Sequence, residues 1–534
     1  MDPLLNFENL CLAMMDPGFY PHPVLGPERR ETHISVVFLT GTWVYKLKKP
    51  LDFGFLDFRR LEDRRRFCRM EVDLNRRLSR GVYEGVVALH RDSAGRFSFQ
   101  SSGPVVEYAV KMRQLPETLS LDRLLSANKA RPTLVRILGR ALAEFHRLSQ
   151  RSPNIDSYGR WEVISANVEE NFEQLHPFVG PVLAPEKWEF IQAVNRTFLA
   201  DRRGLFERRI EDGRIRDGHG DLRAEHVYFF KGIQIIDCIE FNDRFRYGDV
   251  ALDLAFLYMD IEHLGYPEWS RAFLAEYVSC SGDAQLYALL DFYAAYRSIV
   301  RLKVACLRSV EVFGVERARQ EAEARTLMRQ AYRYALQFGR PTVWVICGLP
   351  ASGKSVLARN LADALAIEYF ASDDLRQEAS PSARPRVVPF GEGPYREGLR
   401  QHVYAHLLAR AQDTLKAGRS VVLDATFSHR KWREDARRLS EDLDAGLVFV
   451  ETVCSEATLR ERLQAREGRS GLSDARLEHL PDMMAEFEPL DELAPETRLA
   501  VDTERTAVSV LVDTLSQGYT RACEQVARLL LSIG

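Results

Sequence analysis

A strand, a glycine-rich loop and a helix in immediate succession constrain this chain more than any other stretch. The apolar run Val343-Trp344-Val345-Ile346-Cys347 leads into GLPASGKS at 348–355, and then into the helical pattern VLARNLADAL. This is a P-loop arrangement. The loop Gly348, Leu349, Pro350, Ala351, Ser352 and Gly353 and the helix N-terminus converge backbone N–H groups on phosphate, where the helix dipole favours negative charge. Lys354 then reaches the β- and γ-phosphates, and the Ser355 hydroxyl ligates Mg²⁺. The stretch therefore predicts a nucleoside triphosphate site.

At 534 residues the chain exceeds what one hydrophobic core supports, so several domains are expected. A hydrophobic content of 46% with 28% charged residues is that of an ordinary globular protein. The formal net charge of -3 exerts no global pull toward nucleic acid or membrane. None of the eight cysteines forms a C-x-x-C pair, which speaks against a zinc site or a disulfide framework. The opening MDPLLNFENL has no basic region followed by an apolar core, and no run reaches about 18 apolar residues. A soluble, cytoplasmic protein is expected.

Taken in order, residues 1–30 are apolar patches broken by prolines and read as a small helix and an irregular arm. HISVVFLTGTWVYKLKKP then predicts two strands about a turn at Gly41, and VVEYAVKMRQL a further strand. Between them RRLEDRRRFCRMEVDLNRRLS has Phe67, Met70, Leu74 and Leu78 at helical spacing, which predicts an amphipathic helix with that apolar stripe and a basic outer face. Helices dominate up to about Gln337, and Gly339-Arg340-Pro341 marks a break. Beyond it strands and helices alternate, the pattern of a parallel sheet wound by helices. The Pro/Gly-rich stretch 380–394 reads as a mobile loop. The expected domains are an arm at 1–30, a first module at 31–338 and a second at 341–534.

Two acids in the first module carry a chemical reading. Asp221 lies in HGDLRAEHV, and Asp237 ends the apolar run Ile233 to Ile236. Two carboxylates at the ends of short paired strands suit a base and a Mg²⁺ ligand for phosphoryl transfer. They equally suit isolated capping acids. The region resembles the aminoglycoside phosphotransferase and choline kinase-like branch of the protein kinase fold. HGDL is similar to its catalytic loop, IIDCIEFN to its metal-binding segment and YGDVALDLAFL to the acidic segment that follows. The resemblance implies a bilobal α+β fold, with Asp221 as catalytic base, Asp237 as Mg²⁺ ligand and Asp253 as a buttress of the loop. VYKLKKP resembles the strand with the phosphate-binding lysine. Lys46 and Lys48 lie two apart and so share one side of a strand. Lys46 is favoured, with Glu71 as its ion-pair partner. Where the family pattern places a metal-binding Asn, five residues after the base, this chain has His226, a weaker ligand for Mg²⁺.

The second module holds its own constellation. Asp373 in FASDDLRQE can take a proton from an acceptor hydroxyl, and Arg376 can clamp an anionic group; Ser372, Asp373 or Asp374 would also serve as an N-cap. Asp424 ends the strand SVVLDATF, the place of an acid that orients Mg²⁺ and its water. Arg462 and Arg466 lie four apart in LRERLQAR, either to neutralise the transferring phosphoryl group or as a solvated helix face. These segments resemble the small P-loop kinases of the gluconate kinase, polynucleotide kinase and zeta toxin type, which implies a P-loop NTPase fold of the α/β class.

The pairing of modules resembles bacterial fusion proteins described as aminoglycoside phosphotransferase-like plus ATP-binding. It implies a phosphotransferase using ATP and Mg²⁺ on hydroxyl groups of a small-molecule acceptor. Two alternatives stay open: a regulatory ATP-binding protein whose first module transfers nothing, and a kinase of nucleic-acid ends, a less favoured partner class.

Overall fold

The computed structural model describes residues 3–52, 54, 56–100, 103–379, 396–466 and 476–533. The chain forms two compact units, Met1–Ile164 with Phe206–Phe273 and Ser165–Leu205 with Leu274–Gly534. The stretch 380–394, expected to be a mobile loop, lies outside the described residues.

The first unit is built on an antiparallel sheet of β1 (Glu28–Glu31), β2 (Ser35–Leu39), β3 (Trp43–Lys48), β4 (Tyr83–Arg91), β5 (Phe97–Ser98) and β6 (Val105–Arg113). Their spatial order is β1-β2-β3-β6-β4-β5. Strand periodicity splits β3 between two cores. Tyr45 and Leu47 pack with Phe7, Leu10 and Cys11 of the helix Pro3–Ala13 and with Met14 just beyond it, so the N-terminal segment expected to be an arm covers one face of the sheet. Val44 turns to the opposite face with Cys68 and Val72 of the helix Leu61–Asn75.

That helix is where the residues depart most from simple patterning. Its buried positions are Arg64, Cys68, Glu71, Val72 and Asn75, not the stripe Phe67, Met70 and Leu74. The reason is charge pairing. Arg64 Nε donates to Glu107 at 2.9 Å, and Glu71 meets two lysines of β3. Ion pairs thus occupy the face that apolar periodicity would assign to the core. Four short strands complete the unit: β7 (Ile215–Asp217), β8 (Val227–Phe229), β9 (Ile233–Ile235) and β10 (Tyr247–Asp249), paired antiparallel as β7–β10 and β8–β9.

The second unit holds a fully parallel sheet of β11 (Thr342–Cys347), β12 (Glu368–Ala371), β13 (Val421–Asp424), β14 (Gly446–Val453) and β15 (Arg498–Asp502), in the order β12-β13-β11-β14-β15. β11 is central and buried from Val343 to Cys347, which is why it reads as an unbroken apolar run. Chain connections diverge on either side of β11, and such a switch point is where α/β sheets bind ligands, beyond the strand C-termini. The helices Pro185–Asp201, Leu286–Glu311 and Gly314–Gly339 fall wholly within the same unit as this sheet, across the break at 339–341. Side chains explain the grouping: Tyr519 of the last helix donates to Asp291, and Phe338 packs edge-on against Phe198. Among the described residues, no helix is long and apolar enough to cross a membrane.

Candidate functional site

In the first unit, the sheet sets Lys46 and Lys48 on the same face of β3, as their spacing predicts. Their surroundings differ. Lys48 is fully enclosed, with Nζ donating to Glu71 Oε2 at 2.8 Å and to Glu240 Oε1. Lys46 is 11% exposed, with Nζ 2.9 Å from Glu71 Oε1 and donating to Asp237 Oδ1 at 2.5 Å. Burial opposes the charge on Lys46, but Asp237 and Glu71 outweigh it and raise its pKa well above the ordinary value. Burial would likewise raise the Asp237 carboxyl; the Lys46 ammonium prevails and holds it well below the usual range.

Asp237 has φ +66°, a left-handed conformation that side chains other than Gly, Asn and Asp seldom accept. The segment is pinned on both sides. Ile236 N donates to His226 O at 3.0 Å, and Cys238 N donates to Asn75 Oδ1 at 2.9 Å. The first bond draws together two loops that the sequence separates. His226 Nδ1 donates to Asp221 O at 2.8 Å, and its Nε2 lies 3.7 Å from Asp237 Oδ2. Asp221, His226 and Asp237 therefore line one side of a single centre, with Lys46 beyond Asp237.

The loop carrying Asp221 is held from below by Asp253, in the first turn of the helix Val250–His263. Its carboxylate accepts from His219 N at 2.6 Å and Gly220 N at 2.8 Å. Burial alone would raise this carboxyl, but His146 and the backbone donors keep it well below its usual range. Gly220 is required here: its φ is +85°, and a Cβ would meet Phe245 O at 2.7 Å. His219 accepts from Asp221 N through Nδ1, and burial pushes its pKa down to about 4. Arg223, two residues past Asp221, went unnoticed in the sequence. Its guanidinium is partly buried and held charged against that burial by Asp221 and Asp260. Its only sequence signal is proximity to HGDL.

In the second unit the loop after β11 closes round its own backbone. Gly348 has φ +134°, and a Cβ there would meet Thr452 O at 2.6 Å, so only glycine fits. Ser352 Oγ bonds Thr452 Oγ1 at 2.6 Å, and Thr503 Oγ1 donates to Ser352 O at 2.6 Å. Lys354 opens the helix Lys354–Leu365, and its Nζ donates to Leu349 O at 2.8 Å. Burial lowers the Lys354 pKa, against the pull of Asp424 and Asp373. Parallel register sets Asp424 beside Ile346, at the mouth of the loop. Asp424 accepts from Tyr369 at 2.9 Å and lies near the Ser355 hydroxyl, and its burial raises its pKa.

A cavity of about 340 Å³ opens over this loop, lined among others by Lys354, Ser355, Asp373, Arg376, Asp424 and Arg466. Asp373 and Arg376 pair across one helical turn at 2.7 Å. Arg462 does not join them. Its guanidinium braces the loop, donating to Thr503 O at 2.8 Å and Ala351 O at 3.3 Å. The helix ends at Gln464, so Arg466 projects from the turn beyond it. Arg400 also lines the cavity, paired with Glu486 at 2.6 Å. It sits in the helix Glu397–Lys416, with no motif to mark it.

Comparison with known proteins matches both units. The uncharacterized protein Rv2004c of Mycobacterium tuberculosis is 33% identical over 465 residues, covering 86% of this chain and 90% of the relative. The uncharacterized protein Mb2027c of Mycobacterium bovis gives the same figures. The chain belongs to the family of these mycobacterial proteins. In this family member a model described as the phosphotransferase enzyme family matches residues 65–293, and one described as an AAA domain matches 343–490. Two kinase-type modules thus share one chain. Similar solved structures include a gluconokinase from Sinorhizobium meliloti (21% identity, 36% of this chain and 95% of that one, TM-score 0.25). Another is a choline/ethanolamine kinase family protein from Mesorhizobium loti (14% identity, 62% and 99%, TM-score 0.37).

Kinase families generally use ATP, and a nucleotide-bound divalent ion would meet the donors described above. Among the described residues no cluster of three or more His, Cys, Asp or Glu side chains forms a metal cage. Mg²⁺ usually takes one or two protein carboxylates and completes its shell with phosphate and water. Asp424 and the Ser355 hydroxyl are hard oxygen donors lining the same cavity, and they fit Mg²⁺. Asp237 and His226 also fit a divalent ion, but with one nitrogen donor.

Proposed function

We propose that this chain is an ATP-dependent phosphotransferase with two separate centres, each transferring the γ-phosphoryl group of ATP to a hydroxyl of a small-molecule acceptor. The observation that carries the reading is a repeated arrangement. In each unit a buried lysine lies beside a carboxylate suited to a metal, and a second carboxylate suited to an acceptor proton belongs to the same centre: Lys46 beside Asp237, with Asp221 across His226, and Lys354 with Asp424 and Asp373.

At the first centre Lys46 holds phosphate oxygens, kept charged and aimed by Glu71. Asp221 accepts the acceptor's proton as the new O–P bond forms and the bond to ADP breaks. Arg223 adds positive charge where the transferring group is most negative. Asp237 and His226 would hold the divalent ion, which when bound neutralises phosphate charge. Asp253 keeps the Asp221 loop in place. At the second centre the loop 348–353 and Lys354 cradle the phosphates, and Ser355 and Asp424 would hold the ion. Asp373 takes the acceptor proton, Arg376 orients the acceptor and Arg466 faces the transferring group. Arg462 acts on this centre through the loop it braces.

The test is phosphorylation of a metabolite extract by the full chain with Mg²⁺-ATP or Mn²⁺-ATP, comparing Asp221→Ala, Asp373→Ala and the double variant. Each single variant is expected to lose one set of products. A double variant that phosphorylates as the parent does would refute the reading. His226 favours a second reading, in which the first unit binds nucleotide but transfers nothing and regulates the second. Under that reading Asp221→Ala leaves every product in place.

A further inference from the structure

We propose that the first centre is built for Mn²⁺ rather than Mg²⁺, with His226 Nε2 as a metal ligand beside Asp237; this rests on the phosphotransferase reading of that centre. The imidazole is oriented, not merely present. Its Nδ1–H is committed to the Asp221 carbonyl at 2.8 Å, which leaves Nε2 as the ring nitrogen that can offer a lone pair. Nε2 lies 3.7 Å from Asp237 Oδ2 and 3.9 Å from Glu225 Oε1. A histidine that binds metal through one nitrogen and donates the other N–H to a backbone carbonyl has the outer-shell support typical of metal ligands.

The surroundings keep the ring there. The His226 side chain is 12% exposed, and its own carbonyl is tied to Ile236 N, one residue before Asp237. The two ligands are therefore linked through backbone and cannot drift apart independently. Asp237 offers Oδ2 to the same space while Oδ1 is engaged by Lys46. The donor pair is one carboxylate oxygen and one imidazole nitrogen.

Mg²⁺ demands oxygen donors and pays heavily to shed water for anything softer. First-row transition ions accept imidazole, and among them Mn²⁺ also keeps the affinity for carboxylate and phosphate oxygens that nucleotide binding requires. The second centre, with Asp424 and Ser355, has oxygen donors only. The chain would thus hold two centres of different metal preference, and the ratio of Mn²⁺ to Mg²⁺ would set which one is loaded.

The experiment is pulsed electron paramagnetic resonance of Mn²⁺ bound to the full chain with the β,γ-methylene analogue of ATP, in a Lys354→Ala background that silences the second centre. Expected is a ¹⁴N modulation from a directly bound imidazole, lost in His226→Asn and in His226→Gln. Calorimetry should show the Mn²⁺ over Mg²⁺ affinity ratio falling at least about tenfold in His226→Asn. Mn²⁺ bound with nucleotide in an Asp237-dependent way but without ¹⁴N modulation, or modulation that survives both His226 variants, would overturn the proposal and leave the phosphotransferase reading standing. Nucleotide and metal binding unchanged by Asp237→Asn in that background would overturn both.

Discussion

Lys46 Nζ donates to Asp237 Oδ1 at 2.5 Å, while Lys48, two residues along the same strand, has no access to that carboxylate and is enclosed by Glu71 and Glu240. One strand face thus carries two lysines with different duties. Lys46→Met is expected to weaken nucleotide binding at the first centre by tenfold or more with a small change in Tm. Lys48→Met leaves Glu240 buried without its cation and Glu71 with Lys46 alone, at a cost of about 3–5 kcal/mol. Thermal denaturation beside nucleotide titration separates them. Equal Tm losses in the two variants would contradict the assignment.

The arginines of the helix Glu456–Gln464 and its following turn should likewise part company. Arg462→Ala removes the brace on Ala351 and Thr503, so the ATP KM should rise and the second unit lose about 1–3 kcal/mol. Arg466→Ala should leave Tm alone and lower kcat on the order of 10²-fold. Steady-state kinetics with calorimetric Tm values checks both.

The second unit was the more legible of the two. A run of five apolar residues, GLPASGKS and a helix leave few alternatives, because a central parallel strand and a phosphate loop each impose a local residue pattern. The first unit is governed by partners far apart in the chain. Glu240 is 192 residues from Lys48, and Glu107 is 43 from Arg64. No window of sequence reveals such pairs, so the buried face of the helix Leu61–Asn75 was misassigned to Phe67, Met70 and Leu74. The grouping of residues 274–338 with the parallel sheet escaped for the same reason, since it depends on contacts such as Tyr519 with Asp291. His226 was visible as a departure; its orientation was not.

Acid should loosen the loop that carries Asp221. Folded His219 stays neutral down to about pH 4, while an unfolded chain protonates it near 6.5. The unfolded state therefore binds more protons between those values, and stability falls as pH drops through that window and levels off below it. The full effect is about 3 kcal/mol. Urea denaturation of the first unit at pH 7, 6, 5 and 4 should show this slope, and His219→Gln should flatten it.

The claim that two phosphate-handling centres share one chain is tested most directly by the stoichiometry of nucleotide binding. Titration calorimetry with the β,γ-methylene analogue of ATP and Mn²⁺ should give about two sites per chain, falling to about one in Lys354→Ala and in Asp237→Asn, and to none in the double variant. One site in the parent protein, lost altogether in Lys354→Ala and untouched by Asp237→Asn, would contradict it.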